Sequence, residues 1–150
     1  MPIRARTQTH PRRAFVLSTV AGSLTNDEIL SGRNESEKVT SVETFTGSAF
    51  DIPPEAQPII VLPQDYGVLD CGLPCPPDAP KQAGGGHYQG AVLRFGQGKI
   101  AVFGEAAMFS AQILKMRDGR PFYFGFNAPT AAQNRQFILN LVRWLVMPRT

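Results

Sequence analysis

Residues 90–112, GAVLRFGQGKIAVFGEAAMFSAQ, decide how the chain is to be folded. Ala91, Leu93 and Phe95 fall on one side of an alternating stretch and Arg94 on the other, the period-2 pattern of a half-buried strand. Gly96-Gln97-Gly98 supplies the backbone freedom of a hairpin turn. Ile100-Ala101-Val102-Phe103 is apolar without interruption, so the expectation is a central strand covered on both faces. Gly104-Glu105 breaks the run. A helix is predicted over residues 106–117, with Phe109, Ile113 and Met116 on one face and Gly119 as its stop. A strand that feeds a helix through Gly-Glu puts a carboxylate at the carboxyl edge of a sheet, where open α/β sheets bind ligands. The predicted class is therefore α/β, with Glu105 as the first candidate site residue.

The 150 residues suffice for one domain with a real core, and 43% hydrophobic with 18% charged residues is ordinary for a globular chain. Thirteen prolines and fourteen glycines imply many turns. The formal charge of +3 is small, and Arg4, Arg6, Arg12 and Arg13 concentrate it in a basic N-terminal arm over residues 1–13. The remainder is close to neutral, which argues against a nucleic-acid surface. No apolar run approaches the roughly 20 residues of a membrane-spanning helix, so no membrane partner is expected. Arg12-Arg13 before Phe15-Val16-Leu17 resembles a twin-arginine export signal, but Ser, Thr and Gly interrupt the apolar stretch and no Ala-x-Ala site follows. The compartment stays open, with the cytoplasm preferred.

A single α/β domain is expected over residues 14–150. Strands are predicted at 14–19, 39–45 and 58–63, and Asn26-Asp27-Glu28 caps a short helical turn. Residues 64–90, rich in proline and carrying Gly84-Gly85-Gly86, read as one long loop, a length that usually signals function or disorder. The last helix is the most strongly marked element. Thr130 and Gln133 fit a capping box, Phe137, Ile138, Leu141, Val142 and Leu145 recur at helical spacing, and Arg135, Asn140 and Arg143 are left for the wet face.

The order of these elements resembles the C-terminal half of class I glutamine amidotransferase-like domains, in the uncharacterised, non-amidotransferase bacterial branch. Residues 42–50 (VETFTGSAF), 89–112 and the closing NRQFILNLVRWL carry the likeness, which spans roughly residues 26–147. It implies a flavodoxin-like sheet with flanking helices that lacks the first βα units. Such a sheet would expose an edge, and an exposed edge invites a homo-oligomer. The family's Gly-x-Cys-x-Gly nucleophile elbow is absent, and Phe103-Gly104-Glu105 stands where the family has His-Pro-Glu, so the resemblance argues against glutamine hydrolysis.

Two functions follow as expectations. One is a small-ligand-binding or assembly domain, with a cleft near Glu105 and Thr46, Ser48, Gly104 and Ser110 around it. The other is a small hydrolase of ester, lactone or amide substrates, in which Glu105 serves as base or metal ligand with His87. A helix N-terminus would lower the pKa of Glu105, and Glu105 could equally be a cap and nothing more. His87, among glycines, could be folded over a site or could be an exposed loop residue. Ser110, Thr46 and Ser48 lack the Gly-x-Ser-x-Gly spacing of a nucleophile, and local backbone hydrogen bonding explains them better. Cys71 and Cys75 with His87 fall one ligand short of a zinc site, so a local disulfide and two thiols both remain open. Gly96-Gln97-Gly98-Lys99 lacks the phosphate-loop spacing. No cofactor or metal is named by these residues.

Overall fold

The computed structural model describes residues 6–8, 15–45, 47–69, 71, 76 and 78–148. In chain order the elements are β1 (Arg6–Gln8), β2 (Phe15–Ser18), α1 (Asp27–Leu30), β3 (Ser41–Thr44), β4 (Gly47–Ala49), β5 (Gln57–Val61) and β6 (Gly67–Leu69). There follow β7 (Lys81–Ala83), β8 (Tyr88–Phe95), β9 (Gly98–Phe103), β10 (Ile113–Lys115), β11 (Pro121–Tyr123) and α2 (Asn134–Val146). Single 3-10 turns sit at Glu35–Glu37, Ala107–Phe109 and Gly125–Asn127.

The strands form four small sheets, ordered β4-β1-β6-β7, β5-β8-β9, β2-β3 and β10-β11, and their pairings are antiparallel. The flavodoxin-like α/β expectation is therefore wrong. A parallel sheet needs a crossover of a dozen or more residues, usually a helix, between paired strands. Here β8 and β9 are joined by a tight hairpin, and α2 is the one helix longer than a single turn among the described residues. The expected missing βα units fall with that fold. What exists is a β-rich structure with one covering helix.

The β8–β9 hairpin holds the centre. Its register pairs Gly90 with Phe103, Val92 with Ala101 and Arg94 with Lys99, and directly opposed residues share a face. On that face Val92, Ala101 and Phe103 join Phe137, Leu141 and Trp144 of α2, together with Ile29 and Leu30 of α1, in the main core. The opposite face carries the pairs Ala91–Val102 and Leu93–Ile100. There Ile100 is 41% and Val102 48% exposed. So β9 is an edge strand with one open face, not a central strand covered on both. A short apolar run cannot report which of its faces is covered, and that ambiguity produced the wrong expectation.

The predicted helix over 106–117 is also absent. After the single turn at Ala107–Phe109, the N–H of Phe126 donates to the Ser110 carbonyl (2.7 Å) and that of Phe124 to the Gln112 carbonyl (2.9 Å), drawing the chain into the β10–β11 hairpin. Residues 64–90 are likewise not one loop, since β6 and β7 pair within them and β8 already begins at Tyr88. The strands near residues 14–19, 39–45 and 58–63 are present as β2, β3 and β5. Asn26 caps α1 as expected, its side chain accepting from the N–H of Ile29 (3.3 Å).

The closing helix is present, but its start differs. No capping box forms. Gln133 turns its carbonyl oxygen to the backbone N–H groups of Thr40 (2.8 Å) and Ser41 (2.9 Å), and the Thr130 hydroxyl donates to Glu43 (2.5 Å). Side chains that could cap the helix locally are drawn instead to β3. Its faces also differ, because Asn140 is buried while Leu139, Val142 and Val146 are exposed.

Candidate functional site

Where β9 ends, Gly104 is pressed against β4. Its carbonyl accepts from the Ser48 N–H (2.7 Å), and a Cβ placed on Gly104 would lie 1.9 Å from the Ser48 carbonyl oxygen. Gly47 meets the same bend from the other side, with φ +134 and only 2.8 Å between an added Cβ and that of Glu105. These two glycines let β4 and the end of β9 close over the Glu105 side chain, which is 5% exposed.

Both carboxylate oxygens of Glu105 accept backbone hydrogen bonds, one from the Ala107 N–H (2.6 Å) and one from the Met108 N–H (2.9 Å). Glu105 thus caps the 3-10 turn that follows it. Burial pushes its pKa up to about 7, and the N–H groups of Met108 and Ala107 pull only partly against that. The expected lowering is therefore reversed, because desolvation outweighs what one short turn of N–H donors returns.

Of the other predicted residues, Gly104 and Ser48 meet at the bend beside this carboxylate, and among the described ones no side chain hydrogen-bonds to it. The Ser110 hydroxyl donates to the Ala107 carbonyl (2.9 Å), local backbone bonding of the kind expected for it. Ser48 enters through its backbone. Thr46 lies outside the described residues. The His87 Nδ1 stands 2.8 Å from an Asp51 carboxylate oxygen, with the histidine side chain 16% exposed. No hydrogen bond or ion pair joins His87 to Glu105. Cys71 is disulfide-bonded, and Cys75 lies outside the described residues. Among the described residues no three His, Cys, Asp or Glu side chains are grouped to hold a metal ion, and no helix is long and apolar enough to cross a membrane. An open concavity of about 370 Å³ lies elsewhere, lined by Thr25, Asn26, Asp27, Glu28, Gln57 and Pro58, none of them a predicted site residue.

Sequence reasoning missed the polar groups that hold the bend in place. Asn134, fully buried at the start of α2, accepts from the Glu43 N–H (2.9 Å) and donates to the carbonyls of Glu43 (2.8 Å) and Met108 (3.1 Å). One amide so ties α2, β3 and the turn capped by Glu105. An asparagine at a helix start reads as a cap candidate, and nothing local in the sequence announces two distant partners. No protein-family model matches the chain, and neither the curated proteins nor the solved structures compared with it contain a match.

Proposed function

We propose that the chain is an assembly or small-ligand-binding domain without catalytic machinery of its own, and that assembly is its primary role. The carrying observation is the engagement of both Glu105 oxygens by the backbone of the following turn. A general base must reach the proton it takes, directly or through one water. A carboxylate 5% exposed, with both oxygens committed to main-chain donors, is built to organise a turn. Assembly is further supported by β9, an apolar strand at a sheet edge with Ile100 and Val102 exposed.

The hydrolase alternative draws on one specific feature, the His87–Asp51 pair, since a carboxylate on Nδ1 orients an imidazole for acid–base work. Turnover of ester, lactone and amide substrates by wild type, Glu105→Gln and His87→Ala separates the two. The expected result is no turnover above the buffer rate in all three. Turnover in wild type that either substitution lowers tenfold or more would establish the hydrolase.

A further inference from the structure

The antiparallel alternation shows which backbone groups of β9 are unused. The Gly104 N–H donates to the Gln89 carbonyl (2.9 Å), so that N–H and, by the alternation, the main-chain groups of Val102 and Ile100 point toward β8. Those of Lys99, Ala101 and Phe103 then point away, to the outer edge. The sheet order ends at β9, and no backbone hydrogen bond from these three residues to another element is found among the described residues. Edge strands are normally guarded by a charged side chain, a proline or a bulge. Lys99 is the single charge on β9, and its Nζ is committed to the carbonyls of Trp144 (2.7 Å) and Met147 (3.0 Å) at the end of α2. The edge is left unguarded.

The wall beneath the edge is also apolar. One flank of α2 is polar and turns to the Glu37 segment, through Asn140 to the Glu37 carbonyl (2.9 Å) and Arg143 to its carboxylate (2.7 Å). That is the α1 side of the molecule, and the segment leading into α1 is tied to β5 through the Thr25 hydroxyl and the Pro58 carbonyl (2.8 Å). The opposite flank, Ile138, Val142 and Leu145, is thereby placed under the β9 side, with Ile138 and Leu145 packed on the same cluster as Ala101 and Phe103. Val142 is 48% exposed there.

We infer, on the assembly role proposed above, that the partner is a second copy of this chain, joined antiparallel along β9 about a two-fold axis through Ala101. In that register Lys99 lies opposite the second copy's Phe103 and Ala101 opposite itself. The outward groups then exchange about six hydrogen bonds. Ile100 falls opposite the second copy's Val102 on the open face, a β-branched pair in the closer, non-hydrogen-bonded position. The strand is therefore complementary to itself in hydrogen bonding and in side-chain shape.

Area decides what else must touch. Six residues of β9 extend about 20 Å. Thirteen residues of α2 extend about the same. Strand edge and helix flank together make a wall of roughly 20 by 20 Å, about 400 Å² in projection, at the small end of specific interfaces and suited to association at micromolar concentration. The strand edge alone supplies less than half of that. The α2 flanks of the two copies must therefore meet below the strand seam, in one six-stranded sheet backed by a helix pair.

The test is solution mass against concentration, with residue-resolved amide exchange on the intact chain. The expected mass is twice 16.4 kDa at tens of micromolar. The amides of Lys99, Ala101 and Phe103 should be slow in the dimer and at least tenfold faster on dilution to monomer. Ala101→Pro removes one outward N–H, and Val142→Glu places a charge in the helix seam without touching the strand. Each should weaken association tenfold or more, and Val142→Glu should keep the wild-type circular dichroism. A chain monomeric at 100 μM would overturn the second-copy inference, as would a dimer in which the three amides exchange freely and Val142→Glu is silent. Neither result restores catalysis at Glu105, which only the turnover measurement addresses.

Discussion

At the scale of single residues, Glu105 and Glu37 are opposite cases of one rule. Glu37 is held at about 2 by the Arg33 guanidinium and backbone N–H, with Arg143 adding to them. Its ionised form is favoured in the fold. Glu105 has main-chain donors but no cation, and burial raises it to about 7. A group whose folded pKa lies above its unfolded value gives stability that is complete below the unfolded value, 4.5, and lost as pH rises through the folded one. Between pH 5 and 8, ionising Glu105 should cost wild type about 2–3 kcal/mol. In Glu105→Gln that slope should vanish, because the amide does not titrate. The variant should also be less stable than wild type at pH 5 by about 1–2 kcal/mol, since the hydroxyl oxygen of the protonated acid can still accept from the second N–H, whereas the amide NH2 opposes it. Urea unfolding of both proteins at pH 5 and 8 measures the two effects. A wild-type stability that does not fall between those pH values would contradict the assignment.

At the scale of elements, α2 shows what pattern can and cannot disclose. Phe137, Leu141 and Trp144 face the core as helical spacing requires, so the element and its buried stripe were legible. The wet face was not. Asn140 and Arg143 were expected in water, yet they serve Glu37. A polar residue's partner can lie a hundred positions away, and periodicity carries no information at that range. Asn134 is the sharpest instance. Its substitution by Ala leaves the Glu43 N–H and the carbonyls of Glu43 and Met108 without that partner in a dry site. Asn134→Ala should lower stability by about 3 kcal/mol, read as a shift of the urea midpoint at constant slope. Thr130→Ala, which removes one hydroxyl bond to Glu43, should cost about 1 kcal/mol.

At the scale of the whole molecule the two carboxylates set a stability maximum on the acid side of neutrality. The Glu37 contribution is present above 4.5 and lost as pH falls toward about 2, whereas that of Glu105 is lost as pH rises toward about 7. Melting temperature followed from pH 2 to 9 should peak near pH 4–5. Glu37→Gln should shrink the acid limb, to which Glu28 and Asp118 also contribute through their arginine partners, and leave the neutral limb unchanged. A peak at pH 7 or above would show that the buried carboxylate does not govern the neutral limb.

The sequence by itself determined the β8–β9 hairpin, the strands near residues 14–19, 39–45 and 58–63, the capped turn at Asn26 and the closing helix. Each is marked by neighbours within a few positions: alternation, a glycine turn, a cap, a helical period. It also singled out Glu105, a carboxylate that ends an apolar strand. Only the tertiary structure decided that β9 is an edge, that residues 106–117 form a turn and a hairpin strand, and that the Glu105 carboxyl is enclosed by β4. The reason is physical. Ile100, Ala101, Val102 and Phe103 would look the same with both faces covered or one, because local pattern records that a side chain is apolar and not which distant segment comes to cover it.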